Sequence, residues 1–248
     1  LTASLLGHIY EMQGVSRIIT LDLHSREIPN AFSKLNLDNL HASYQIIREL
    51  SKIVDISGKT EDIVIVSPDT GAIDRNKFYA SGLKLPLAMI YKERDYSIVT
   101  QDAHSTNIKS VKLLGDVKGK VAFLADDMLG TGGTLLKAME FLKEQGASKV
   151  ICAISLPFFT GNAVEQFDEA YKQGLFYRII GTNAVYHEEL LTKEWFINTD
   201  VSGLFANVIT RIHYNQSLSE LLDNRNIIEK VVKPQNSVAE KTEKKLEE

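Results

Sequence analysis

A single cysteine stands among the 248 residues, Cys152, so no disulfide can form within the chain. It lies in the apolar run VICAISL, the setting of a buried strand residue rather than of a nucleophile. Basic residues are not in excess either: 28 Lys and Arg face 32 Asp and Glu, for a formal net charge of -4. That balance removes the general electrostatic grounds for binding nucleic acid or an anionic membrane. Any affinity for phosphate must therefore be local. No apolar stretch approaches the roughly 20 residues of a membrane helix, and the opening LTASLLGHIYEMQG has no basic start of the kind signal peptides carry. These absences, with 44% hydrophobic and 24% charged residues, predict a soluble, cytoplasmic globular protein. Its length suffices for one large or two small domains.

What the chain does have is concentrated between residues 121 and 146. Val121, Ala122, Phe123 and Leu124 read as a buried parallel strand, Asp126 and Asp127 follow at its end, and three glycines, Gly130, Gly132 and Gly133, come within four positions. Leu135, Ala138, Met139 and Leu142 then repeat at the spacing of one helical face, and Gly146 stops the helix. Glycines bring backbone N–H groups close to an anion, the helix adds the positive end of its dipole, and Thr131 and Thr134 can add hydroxyl donors. This is a phosphate cradle. Two carboxylates beside it repel phosphate but suit sugar hydroxyls, or a metal ion bridging to phosphate. A sugar phosphate satisfies both halves. The P-loop is excluded because no lysine follows Gly133, and the GxGxxG fingerprint is absent.

In chain order, residues 1–12 predict a helix with Leu5, Ile9 and Met12 on one side, and 17–23 a buried strand that delivers Asp22 and His24 to its C-terminal end. Pro29 and Asn30 break the chain before the segment LDNLH, and 42–53 predict an amphipathic helix. Strand 62–68 carries Asp69 at its end, helix 72–83 carries Arg75 and Lys77, and strand 87–91 runs into Lys92, Glu93 and Arg94. Residues 95–116, polar and without periodicity, predict a long hairpin or flap. After the central loop come strand 149–154, helix 163–172, strand 177–182, a short strand at 195–198 and a closing helix at 201–214 buried through Leu204, Val208, Ile209 and Ile212. Residues 233–248 have the composition of a disordered tail.

DLHSREI, SPDTGA, the KER triplet, ADDMLGTGGT, FFTGNA and RIHYNQSLSELL, in this order, resemble the ribose-phosphate pyrophosphokinases, over residues 1 to about 222. The resemblance implies an α/β phosphoribosyltransferase-like fold with a parallel sheet: one complete domain plus the remainder of a second, related one. The expected division is 1–37 for the remainder of an N-terminal half-domain, 38–200 for the main domain, 201–222 for a closing helix packed back on the N-terminal half, and 223–248 for the tail. It also implies transfer of the diphosphoryl group of ATP to the anomeric hydroxyl of ribose 5-phosphate, with Mg2+ and AMP as the leaving group. Lys92 and Arg94 fall on the catalytic positions, and Asp126, Asp127, Gly130, Thr131, Gly132, Gly133 and Thr134 on the ribose 5-phosphate site. His24 and Asp69 fall on the metal positions. A homo-oligomer is implied; nucleic acid and membrane are not.

Three departures accompany the likeness. The family carries an aspartate where Gly130 stands and a second glycine where Ala72 stands, and the segment before Asp38 holds one extra residue. Family members also have an N-terminal half-domain with much of the adenine-nucleotide site, so the chain is expected to be a fragment of a longer enzyme or a shortened paralogue. A silent ribose-phosphate-binding regulatory subunit is the alternative function, and a phosphoribosyltransferase, which would need a base-recognising hood, the third.

Overall fold

The structure, a computed structural model, describes residues 2–25, 27–56, 62–94 and 108–223, with residues 225, 228 and 231. The side chain of Arg94, most of the expected flap and the expected tail at 233–248 lie outside the described residues.

The sequence of apolar strands and amphipathic helices builds two parallel arrangements. Strands β1 (Arg17–Leu21) and β2 (Asn36–Leu40) pair in parallel as a two-stranded sheet. The larger sheet holds β3 (Ile63–Ser67), β4 (Leu87–Arg94), β5 (Ile108–Leu114), β6 (Val121–Leu129), β7 (Lys149–Pro157), β8 (Arg178–Thr182) and β9 (Phe196–Thr199), in the order β5-β4-β3-β6-β7-β8-β9. All are parallel except β5, which returns antiparallel along β4. The second arm of the expected hairpin is thus in place.

Central strands are apolar on both faces because both faces are covered. Val64, Val66, Ala122 and Leu124 meet α4 (Gly133–Glu144) and α5 (Ala163–Lys172) on one side. Ile63, Ile65, Phe123 and Ala125 meet α2 (Ser43–Ile53) and α3 (Ile73–Leu83) on the other, where α6 (Ser202–His213) adds Val208. From β3 the chain moves outward to β4, and from β6 it moves the opposite way to β7. The order reverses between β3 and β6, and such a reversal opens a crevice at the C-terminal strand ends.

Several expectations are corrected. Residues 37–40 of LDNLH form a strand that was not expected, since they belong to β2. The first strand is buried only at Leu21, because it belongs to the small sheet. The acidic pair lies within β6, which runs on to Leu129, and β4 likewise continues through Lys92. In α6 only Val208 is fully buried and Ile209 is 66% exposed. Helix α1 (Thr2–Met12) leaves Leu5, Ile9 and Met12 exposed. No described helix is long and apolar enough to cross a membrane.

Candidate functional site

A cleft of about 980 Å³ opens at the C-terminal ends of β3 and β6, under the tip of the small sheet. His24, Asp69, Asp126, Asp127, and the loop 130–134 all line it. Lys92 is not among the described lining residues. It sits on β4 opposite Val111, and strand alternation with Ala88 and Ile90 puts it on the α4 side of the sheet.

Backbone geometry shapes the loop. Gly132 has φ 76°, and a Cβ there would fall 2.3 Å from the buried Phe167 ring, so glycine is required twice over. At Gly130 a Cβ would meet only Thr160 Oγ1 at 3.7 Å. A Cβ is therefore tolerated at Gly130, unlike at Gly132. The loop is held from the segment that follows β7, since Phe159 N donates to Leu129 O and Thr160 N to Gly130 O, both at 3.0 Å. Gly132 caps α4 without a side-chain hydrogen bond, which leaves the cap to backbone N–H groups alone.

The acidic pair is fixed from α3. The side chain of buried Asn76 bonds both the N–H and the C=O of Ala125, each at 2.9 Å, immediately before the carboxylates. His24 Nδ1 lies 2.7 Å from Asp127 Oδ2, and Arg75 Nη2 lies 3.8 Å from the same oxygen. Burial and the hydrogen bond and charge of Asp127 push Asp126 up to about 7. Burial acts against ionisation at Asp127 as well, but the hydrogen bonds with Asp126 and His24 and the Arg75 charge hold it below the ordinary carboxylate range. The two adjacent carboxyls are thus pushed in opposite directions.

This divergence gives a testable pH dependence. A carboxyl raised on folding stabilises the chain fully below its ordinary value of 3.8, and the contribution is lost as pH rises through about 7. Asp126→Asn stays neutral throughout. Its stability relative to the native chain is expected to rise between pH 4 and pH 8 by on the order of 2 kcal/mol, read from urea midpoints. An unchanged difference would show that Asp126 ionises normally.

Behind the pair lies a centre that the sequence did not reveal. Asp22, 4% exposed and at φ 46°, accepts from Ser155 Oγ at 2.6 Å, Ala42 N at 3.1 Å and Arg75 Nη1 at 3.0 Å, with His41 Nδ1 2.8 Å away. The partners come from β7, the start of α2, α3 and the end of β2, so Asp22 ties the small sheet to the large one. Asp22 stood out at a strand end and Arg75 on its helix, yet nothing in the local pattern joined residues 53 apart, or Ser155 at 133 apart. Burial opposes its charge, and the His41 hydrogen bond and Arg75 charge hold its carboxyl below the usual range.

Could this cleft hold a divalent ion? Among the described residues no three His, Cys, Asp or Glu converge on one point. His24 spends Nδ1 on Asp127, and Asp69 Oδ1 accepts from Ala72 N at 3.0 Å, leaving Nε2 and Oδ2. These two atoms alone would leave a hexacoordinate ion such as Mg2+ most of its positions to water and phosphate oxygens.

The phosphoribosyl transferase domain matches residues 33–190 of this chain. The chain belongs to that family. The match takes in β2 through β8 and therefore the acidic pair, the glycine loop and Asp69 of this phosphoribosyl transferase domain, while β1 and His24 lie outside it. Among curated proteins the chain is similar to ribose-phosphate pyrophosphokinase A of Dictyostelium discoideum, 33% identical over 90% of this chain and 65% of the relative. It is also similar to ribose-phosphate pyrophosphokinase 2 of Schizosaccharomyces pombe, 33% identical over 89% of this chain and 64% of the relative. Among solved structures, phosphoribosylpyrophosphate synthetase of Mycobacterium smegmatis superposes with a TM-score of 0.73 at 28% identity, covering 86% of this chain and 64% of the other. The chain thus spans about 65% of the length of the curated relatives it matches.

Proposed function

We propose that this phosphoribosyl transferase domain binds ribose 5-phosphate and acts as a ribose-phosphate diphosphokinase, passing the diphosphoryl group of ATP to the anomeric hydroxyl. The observation that carries this reading is the placing of Asp126 and Asp127, one raised and one lowered, beside the loop 130–134 in one cleft. Two carboxyls pushed apart in this way can present a donor and an acceptor side by side, which suits adjacent sugar hydroxyls that each donate and accept. Gly130, Thr131, Gly132, Gly133 and Thr134 would cradle the 5-phosphate through backbone N–H groups and hydroxyls, at the N-terminus of α4.

His24 and Asp69 would hold Mg2+, which supplies charge neutralisation to the phosphates when bound. Lys92 and Arg94 would neutralise the diphosphoryl group as charge moves to the departing AMP; Arg94 can fork two oxygens, whereas Lys92 acts as a point charge. In such a transfer the protein mainly aligns the reactants and stabilises charge. A cytoplasmic homo-oligomer is part of the same reading.

A binding subunit without turnover is the second reading, favoured by the position of Lys92 outside the described lining of the cleft. One pair of measurements separates the two. AMP release from ATP, with ribose 5-phosphate and magnesium, supports the enzyme. Retained ribose 5-phosphate binding without AMP release supports the silent subunit, and loss of both discards the sugar-phosphate site.

A further inference from the structure

The segment after α6 brings into the cleft a cation that the reading above does not use. Helix α7 (Ser219–Leu222) packs against β2, and Leu222, Asp223 and Arg225 line the cleft. The segment is anchored on both sides. Leu218 is buried before it, Ile228 is fully buried after it in the core of α2 and α3, and Val231 packs against the same cluster. These apolar anchors hold Arg225 at the cleft.

Charge makes the position informative. Carboxylates outnumber cations among the described lining residues, whose two guanidiniums are Arg75 and Arg225. Arg75 is engaged by Asp22 at 3.0 Å and faces Asp127 at 3.8 Å. Arg225 is engaged only by a near neighbour among the described residues: its Nε lies 2.9 Å from Asp223 Oδ1 and 3.2 Å from Oδ2, and its Nη2 lies 2.5 Å from Oδ2. That pair is exposed, at 69% and 50% of its side chains, and an exposed ion pair is held weakly. Asp223 holds the Nε and Nη2 donors of the guanidinium, and an oxyanion competing for them would meet the full planar fork.

We propose that Arg225 is a phosphate-binding residue of this cleft, kept in place by Asp223 until a phosphate-bearing ligand takes over its donors. The inference rests on the reading that the cleft accepts such a ligand. A phosphate entering a wall rich in carboxylates needs a compensating charge, and the planar fork of arginine matches its oxygens better than a point charge does.

Calorimetric titration tests this, with ribose 5-phosphate and inorganic pyrophosphate as separate phosphate probes and unphosphorylated ribose as control. Arg225→Ala is expected to weaken both phosphate probes at least about tenfold, as loss of a charge-assisted hydrogen bond does. Arg225→Lys should recover only part of that loss, and Asp223→Ala should tighten binding by releasing the guanidinium. Ribose affinity and the thermal midpoint should stay level across the set, which a purely structural role would not allow. Unchanged ribose 5-phosphate binding in Arg225→Ala overturns the inference and leaves the sugar-phosphate reading standing. Pyrophosphate binding that depends on Arg225, in a native chain that ignores ribose 5-phosphate, does the opposite. A native chain that binds neither probe discards both.

Discussion

Asp22→Ala is expected to lower the unfolding free energy by about 3 to 5 kcal/mol, the cost of leaving one member of a buried ion pair without its partner. The Arg75 side chain is 19% exposed and would lose its closest carboxylate, and the Ser155 hydroxyl and Ala42 N–H would lose their acceptor inside the protein. Each unpaired donor costs about 1 to 3 kcal/mol, partly recovered where water enters. Because Asp22 joins the two sheets, the loss should loosen the small sheet first. Hydrogen exchange at β1 and β2 should therefore accelerate more than at β6 and β7. The check is the urea midpoint at constant slope; a shift worth less than about 1 kcal/mol would show that the network contributes nothing cooperative. Adding Arg75→Met should return part of the stability, since removing both charges costs less than stranding one.

Lys92→Ala is expected to slow AMP formation by at least about a hundredfold while leaving the urea midpoint unchanged, in line with the loss of one preorganised charge at a transition state. Lys92 is partly exposed on β4 among cross-strand neighbours, not packed in the core, so its removal should leave the hairpin intact. The effect should fall on kcat rather than on ribose 5-phosphate affinity, because Lys92 does not line the described cleft. Near-native turnover in Lys92→Ala would remove it from the mechanism. The same result with Arg94→Ala would leave the KER triplet as a solvated strand end.

The acidic pair and the glycine loop were legible because both are local: strand, carboxylates, glycines and helix follow one another within residues 121–146, and short-range sterics dictate their conformation. The seven-stranded sheet was legible for a related reason, since strands covered on both faces are written as unbroken apolar runs such as IVIVS. Strand β2 was not. Its sequence NLDNL alternates weakly and carries two asparagines and an aspartate, and only pairing with β1 makes it a strand.

The sequence by itself determined which chemical groups stand at the strand ends and what they suit: an anion cradle, two carboxylates, a histidine and a pair of cations. Only the tertiary structure decided which of them meet. It brought His24 onto Asp127 across 103 residues, set Arg75 between Asp22 and Asp127, kept Lys92 off the described cleft wall and carried Arg225 onto it. The physical reason is that a carboxylate's charge state and partners depend on burial and on distances of a few ångströms, which strand order and helix packing fix. Residue spacing along the chain carries no record of either.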